Sequence, residues 1–308
     1  MEYRWGLITA QDADEWHTRR LLAALGAVGE VERIDPRSLR LVCGRSRSTD
    51  VLVPLAGGGD ARRFDAVVLG RLVTDDADPD LALDGARAIE LCGVPCLNRV
   101  GPMLAAQDKL WTAALLAKAG LPTPLCSSVP RPKDAVVALA EVGPSVAKPL
   151  FGSLGDGLFR CDGLREQARL ARRAGRSAHL VQRFVASGGV DYRLFVVGDK
   201  VEACVRRQAP AGDFRSNAAR GGRVVPAVAH RLWRELAVEA TRTLGLSFAG
   251  VDLAVGEGGP AILEVNGFPS FRAVHRATGR DMAEAMALFA LRMARSARRA
   301  RRSGRLRA

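Results

Sequence analysis

Three short stretches hold side chains whose types and spacing could do chemistry. The first is "AGVDLAVGEGGPAILEVN", residues 249 to 266, where an apolar, strand-like pattern carries Asp252, Glu264 and Asn266. If Glu257, Gly258 and Gly259 form a three-residue hairpin loop with a glycine in the left-handed position, Gly256 pairs with Pro260 and Asp252 falls opposite Glu264. Asn266 lies two residues further on, hence on the same face. Two opposed carboxylates repel unless a cation sits between them, and an all-oxygen set suits Mg2+ bridging nucleotide phosphates. A solvated polar face of an antiparallel sheet accounts for the same pattern.

The second stretch is "KPLFGSLGDGL", in which Lys148 ends a strand and precedes Gly152, Gly155 and Gly157. Glycines let backbone N–H groups approach an anion, and a lysine beside them can neutralise phosphate charge. The order is not that of a Walker A loop, which places Lys-Ser/Thr after its last glycine and opens a helix. A glycine-rich hairpin turn explains the loop equally simply. The third stretch, "GDFRSNAARGG" from 212 to 222, follows Arg206 and Arg207. Arginine forks and an asparagine amide could hold a carboxylate and a transferring phosphoryl group, or form a surface charge cluster.

Elements that could position these groups follow from periodicity. "YRWGLITA" reads as a strand and "DEWHTRRLLAALGAV" as a helix with a glycine stop; strands and helices alternate to about residue 100, the mark of an open α/β unit. "MLAAQDKLWTAALLAKAG" reads as one helix closed by Gly120, with Pro122 and Pro124 enforcing extended chain beyond it. A helix near 134 to 141, a strand–glycine loop–strand unit, a helix over "REQARLARRAG" and a buried strand in "AHLVQRFV" come next. Hairpins around the helix "RLWRELAVEATRTLG" lead to a last helix over "MAEAMALFALRMARSA".

Composition narrows the function classes. The 308 residues are 48% hydrophobic and 26% charged, as in an ordinary folded protein, and no run approaches the roughly 18 apolar residues of a membrane span. With charges and Trp5 where a signal peptide would need an apolar core, a cytoplasmic protein without membrane contact is expected. The six cysteines form no C-x-x-C pair and are expected to be reduced thiols. Of the net charge of +13, eight arginines between Leu291 and Ala308 leave +5 for the body. That tail, without interleaved aromatics, is expected to be a frayed, solvated helix end rather than a nucleic-acid arm.

Taken in order, "QDKLWTAALLAKAGLPTP", "VAKPLFGSLGDGL", "LVQRFV", "DYRLFVVGDKV", "GDFRSNAARGG", "AGVDL" and "LEVN" resemble the ATP-grasp carboxylate–amine ligases, specifically the RimK-like glutamate ligases, over about residues 65 to 290. The resemblance implies an α/β (α+β) ATP-grasp fold: an N-terminal open α/β domain over 1–100, a lid over 101–187, a C-terminal subdomain with the metal site over 188–290 and a basic tail over 291–308. ATP would be clamped between two sheets. Carried over by residue, Lys109 and Lys148 match phosphate-contacting lysines, with Ser153 in the glycine loop beside them. Arg183 and Phe184 match the adenine hinge, and Asp191 the ribose position. Asp252, Glu264 and Asn266 match ligands of Mg2+, or Mn2+ in its place. Arg215 and Asn217 match a loop touching nucleotide and acceptor, and of the pair Arg206 and Arg207 the resemblance favours Arg207 as the one facing the γ-phosphate.

The resemblance further implies an acyl-phosphate intermediate attacked by the amine of L-glutamate, in a site with no protein nucleophile. No residue in the sequence stands out as the general base. Three departures fall near the hinge and acceptor: Arg183 where many relatives have glutamate, "NGFPSF" after the strand, and "LGRLVTDD". Phe268, Phe271 and Arg272 suggest a small, flat, anionic acceptor such as a tetrahydromethanopterin-type pterin, or else pack under the loop. The alternatives are a protein or carrier-protein C-terminus as acceptor, with the basic tail as docking arm, and a non-catalytic ATP-binding protein that meets RNA through that tail. A homo-oligomer is expected.

Overall fold

Short, wholly apolar runs in the first hundred residues demand a sheet covered on both faces. The computed structural model describes residues 2–44, 51–72, 79–150, 157–174, 176–216 and 221–303. Here β1 (Arg4–Ile8), α1 (Trp16–Gly26), β2 (Glu30–Ile34), β3 (Ala66–Leu69), α2 (Pro79–Leu91) and β4 (Cys96–Leu97) form a parallel sheet of order β2-β1-β3-β4. Every residue of β3, and β1 from Trp5 onward, is buried.

The single helix predicted from Met103 to Gly120 is two helices, α3 (Val100–Gln107) and α4 (Lys109–Lys118). Asp108 between them is extended, with φ −84° and ψ 106°, and its Oδ1 accepts the amides of Leu110 and Trp111 at 2.9 Å each. An aspartate that captures backbone donors in this way starts a helix better than it continues one. The break sets Lys109 in the first turn of α4.

A second, antiparallel sheet of order β5-β8-β6-β7 comprises β5 (Cys126–Val129), β6 (Ser145–Pro149), β7 (Phe159–Cys161) and β8 (His179–Arg183), covered by α5 (Asp134–Val142) and α6 (Leu164–Ala174). Gly157, at φ +75°, closes the loop before β7 where a Cβ would lie 2.8 Å from Pro149 Cγ, so only glycine fits. The third sheet runs β11-β10-β9-β12-β13, from β9 (Val190–Val197), β10 (Lys200–Gln208), β11 (Arg223–Pro226), β12 (Phe248–Gly256) and β13 (Gly259–Asn266), with α7 (Arg231–Thr243) on one face.

The β12–β13 hairpin differs from the expected three-residue loop. Gly256 pairs with Gly259 around a two-residue turn, and the ladder then shifts by one residue between Leu253↔Ile262 and Asp252↔Glu264. The bulge restores the offset that the shorter turn removes, so Asp252 still faces Glu264.

After β13 come α8 (Arg272–Thr278) and α9 (Met282–Arg302). The expected frayed tail from residue 291 is, as far as Arg302, the continuation of α9. Ala283, Ala287, Ala290 and Ala294 are buried along one face in a core shared by β1, α1, β9 and β10. Arg298 grips Asp65 with two bonds of 2.6 Å and lies 4.0 Å from the Tyr3 ring. Small side chains let the helix approach both sheets closely, and the paired arginine removes the reason to fray. All six cysteines are free thiols; burial pushes those of Cys161 and Cys204 up to about 11, which leaves them unreactive. No helix among the described residues is long and apolar enough to cross a membrane.

One buried side chain joins the first sheet to the third. Asn98 is fully buried; its Nδ2 donates to the carbonyls of Phe248 at 2.8 Å and Gly267 at 2.6 Å, while Oδ1 accepts the amides of Ser247 at 2.5 Å and Phe248 at 3.0 Å. Asn98→Ala strands backbone groups in the interior at roughly 1–3 kcal/mol each. The expected loss is therefore at least about 3 kcal/mol, read as a fall in the urea unfolding midpoint.

Candidate active site

Alternation along β9 sends Asp191 and Arg193 to the same face, and the register places their partners directly across neighbouring strands. Arg207 on β10 stands opposite Asp191, while Asp252 on β12 stands opposite Arg193 and, on its other side, opposite Glu264 of β13. Arg207 forks onto Asp191 at 2.6 and 2.8 Å, and Arg193 forks onto Asp252 at 2.7 and 2.6 Å. Arg207 also reaches Asp252 at 3.0 Å. Asp252 is 4% exposed. Burial alone would raise its carboxyl, but Arg193 and Arg207 override that and hold it well below the usual carboxylate range. Burial likewise opposes the charge on Arg207, and Asp252 and Asp191 more than restore it.

Glu264 ends the ladder differently. It is half-buried and makes no hydrogen bond or ion pair among the described residues. Asn266 donates from Nδ2 to the Gly250 carbonyl at 3.3 Å, which leaves its amide oxygen uncommitted among those residues. No group of three His, Cys, Asp or Glu side chains gathers among the described residues. The donor set is two carboxylates and an amide oxygen. Those are hard oxygens with one carboxylate unpaired, and a small hard cation that keeps open positions for phosphate fits them.

These residues floor a cleft of about 290 Å³ whose opposite wall is the second sheet. From that wall come Lys148 of β6 and Gln182 of β8, joined by a 2.7 Å bond from Nζ to Oε1. Burial pushes the Lys148 ammonium down, against the pull of Glu264 and Asp252. Lys109 enters from α4, its Nζ donating to the Leu150 carbonyl at 3.4 Å. Arg183 and Phe184 lie at the hinge between the sheets, where their amides already donate to the carbonyls of Leu125 at 2.8 Å and Pro144 at 2.9 Å. Their carbonyl oxygens and the Val185 amide have no backbone partner outside the strand ladders among the described residues. The Phe184 ring carries the Arg160 guanidinium at 4.1 Å and meets Phe214 edge-on at 6.2 Å.

Most of the side chains proposed from sequence meet in this one cleft: Lys109, Lys148, Arg183, Phe184, Asp191, Arg207, Arg215, Asp252, Glu264 and Asn266 all line it. Asp191, expected at a ribose, has both oxygens engaged by Arg207 and one of them also by the Ser216 hydroxyl. Arg215 is braced by Asp213 at 2.8 Å. Ser153 and Asn217 lie outside the described residues. Phe271 does not face a ligand: it is 1% exposed and packs in the core, with Arg272 over the Trp16 ring. Phe268, by contrast, lines the cleft, as do Arg71 and Ser270. Sequence reasoning missed Arg193, Gln182 and Arg71. The two-residue spacing from Asp191 to Arg193 was a usable signal for the first; the others are brought in by strand pairing and sheet docking.

Comparison with known proteins agrees with this arrangement. A RimK-like ATP-grasp domain matches residues 106–289. The chain belongs to the RimK-like ATP-grasp family. As a member it is an ATP-dependent carboxylate–amine ligase. A probable alpha-L-glutamate ligase of Legionella pneumophila (strain Corby) is 34% identical over 286 residues, spanning 90% of this chain and 91% of that protein. Its counterpart in Xanthomonas oryzae pv. oryzae (strain MAFF 311018) is 36% identical over 291 residues, spanning 91% and 94%. The structure of the ATP-grasp ligase PsnB complexed with minimal precursor, Mg and ADP superposes with a TM-score of 0.74 at 20% identity, covering 94% of this chain and 98% of that one.

In this RimK-like ligase, Arg193→Ala leaves a buried carboxylate with one guanidinium instead of two. The expected cost is about 3 kcal/mol, the low end for breaking a buried pair because Arg207 remains. Adding Asp252→Asn to that variant removes the uncompensated charge, so the double variant unfolds at a higher urea concentration than additive losses require.

Proposed function

We propose that this ligase transfers the γ-phosphoryl group of ATP to an acceptor carboxylate and couples the resulting acyl phosphate to the amine of L-glutamate. The observation that carries the reading is the unpaired Glu264 beside the doubly compensated Asp252, facing Lys148 across a cleft between two sheets. Asp252, Glu264 and Asn266 would hold Mg2+, whose chemistry is to neutralise charge on the phosphates; Mn2+ suits the same oxygens. Lys148, Lys109 and Arg207 bring further positive charge to the phosphate end, and their anchors, Gln182 and Asp191, hold two of the three in place before ATP arrives. Phosphoryl transfer asks mainly for such positioning and charge neutralisation. The hinge carbonyls and the Val185 amide suit an adenine edge, with the rings of Phe184 and Phe214 beside it.

At the other end, Arg71 makes no ion pair among the described residues and offers a guanidinium for a substrate carboxylate. Phe268, which lines the same cleft, supplies one aromatic face. An arginine and a ring suit a small, flat, anionic acceptor, and a tetrahydromethanopterin-type pterin carrying glutamate has that chemistry. The PsnB complex with precursor peptide PsnA2 and AMPPNP supports a second reading, in which the acceptor is a peptide or protein.

The test is ADP release with L-glutamate and either a reduced pterin–glutamate conjugate or a peptide ending in glutamate. Turnover that depends on acceptor and amino acid, with a product heavier by one glutamate residue, is expected. Glu264→Ala should lower it by more than the ~10–100-fold that loss of an outer-shell metal partner costs. ATP binding without turnover across both acceptors, together with salt-dependent RNA affinity lost on removing residues 295–308, would overturn the ligation reading in favour of a nucleotide-dependent RNA-binding role.

A further inference from the structure

A second cluster of reactive side chains borders the cleft, joining α1 to the loop after β13. His17, in the first turn of α1, places Nδ1 2.7 Å from Glu15 Oε1 and Nε2 3.0 Å from Ser270 Oγ. Glu15 is the N-cap of α1, and its other oxygen accepts the amides of His17 at 2.8 Å and Thr18 at 2.9 Å. Both carboxylate oxygens are thus committed, and the carboxylate cannot turn away from the ring. The His17 ring is clamped edge-on against Phe271, with centroids 4.8 Å apart. Ser270 is exposed and lines the same cleft as Lys148, Glu264 and Asn266.

The hydrogen-bond directions follow from the chemistry of the groups. An ionised carboxylate only accepts, so Nδ1 carries the proton and Nε2 presents its lone pair to the Ser270 hydroxyl. An acid, an imidazole and a hydroxyl in line form the arrangement by which proteins make a weak hydroxyl exchange its proton. Capping α1 uses only one oxygen of Glu15; the other is turned to His17 Nδ1, and the ring in turn meets a serine that is open to the cleft.

We propose that Glu15, His17 and Ser270 form a proton relay that deprotonates the incoming amine. The proposal rests on the ligation reading above. An ammonium cannot attack; it first gives a proton to Ser270 Oγ as Ser270 passes its own to His17 Nε2. The free amine then forms the C–N bond to the acyl carbon while the C–O bond to phosphate breaks. The second amine proton leaves on the departing phosphate, and the imidazolium, stabilised by Glu15, returns its proton to solvent. This supplies the general base absent from the rest of the site, a contribution of roughly 10²–10⁴-fold for a positioned base.

The test sets two nucleophiles against each other. With ATP, Mg2+ and the pterin–glutamate or peptide acceptor, L-glutamate needs a base, whereas hydroxylamine, largely unprotonated at neutral pH, traps the acyl phosphate as a hydroxamate without one. His17→Gln and Ser270→Ala are expected to lower the ratio of amide to hydroxamate by ~100-fold or more. An unchanged ratio, whatever the total activity, overturns the relay. Wild-type enzyme that makes no hydroxamate would sink the ligation reading instead. In that event a fluorophosphonate still decides the relay: mass mapping should find Ser270 labelled in the wild type and unlabelled in His17→Gln, and equal labelling of the two, or none in either, overturns it.

Discussion

A carboxylate withdrawn from water, that of Asp252, sets the terms on which the cleft is built. An unpaired ion there would cost several kcal/mol, and one guanidinium repays that only with good geometry. Arg193 therefore meets it as a fork, Arg207 adds a third contact, and Arg207 is shared with Asp191, which in turn takes the Ser216 hydroxyl. Charge compensation at a single atom pair thus runs across β10, β9 and β12. It also specifies their register. A one-residue slip of β9 would turn Asp191 and Arg193 to the opposite face and leave Asp252 and Arg207 with only each other.

Glu264 owes its character to its place at the end of that ladder. The arginines are consumed before reaching it, so it keeps an open carboxylate beside a compensated one. The bulge in the β12–β13 ladder matters for the same reason. Without the one-residue shift, the two-residue turn would set Leu263 rather than Glu264 opposite Asp252. An apolar side chain would then occupy the position where the oxygen set is completed.

The docking of the first sheet on the third completes the opposite end of the cleft. Asn98 stitches the residue after β4 to the backbone before β12 and after β13, and the small face of α9 packs into the core that the two sheets share. Arg71 follows β3, Ser270 follows β13, and His17 sits on α1, so the substrate end is assembled from segments far apart in the chain. Phe271 is the pin among them, packed against Trp16, His17 and Phe195. A ring packed against α1 and β9 in this way has no face left for a ligand, and of the two loop phenylalanines it is Phe268 that lines the cleft.

Local pattern in the sequence was enough to specify most strands and helices and the placement of Asp252 opposite Glu264, because alternation, glycine turns and the cost of burying carboxylates act over a few residues. The order of the motifs likewise identified the family. Periodicity failed at Asp108, where a side chain captures two backbone amides and outweighs an unbroken apolar pattern. It failed again at the tail, because whether an arginine-rich helix frays depends on Asp65 and Tyr3, more than two hundred residues away. The pairing of Asp191 with Arg207, the fork of Arg193, and the line from Glu15 through His17 to Ser270 were settled only by the tertiary structure. Those partners meet through strand register and sheet docking, and a linear chain carries no distance between residues 17 and 270 until it has folded.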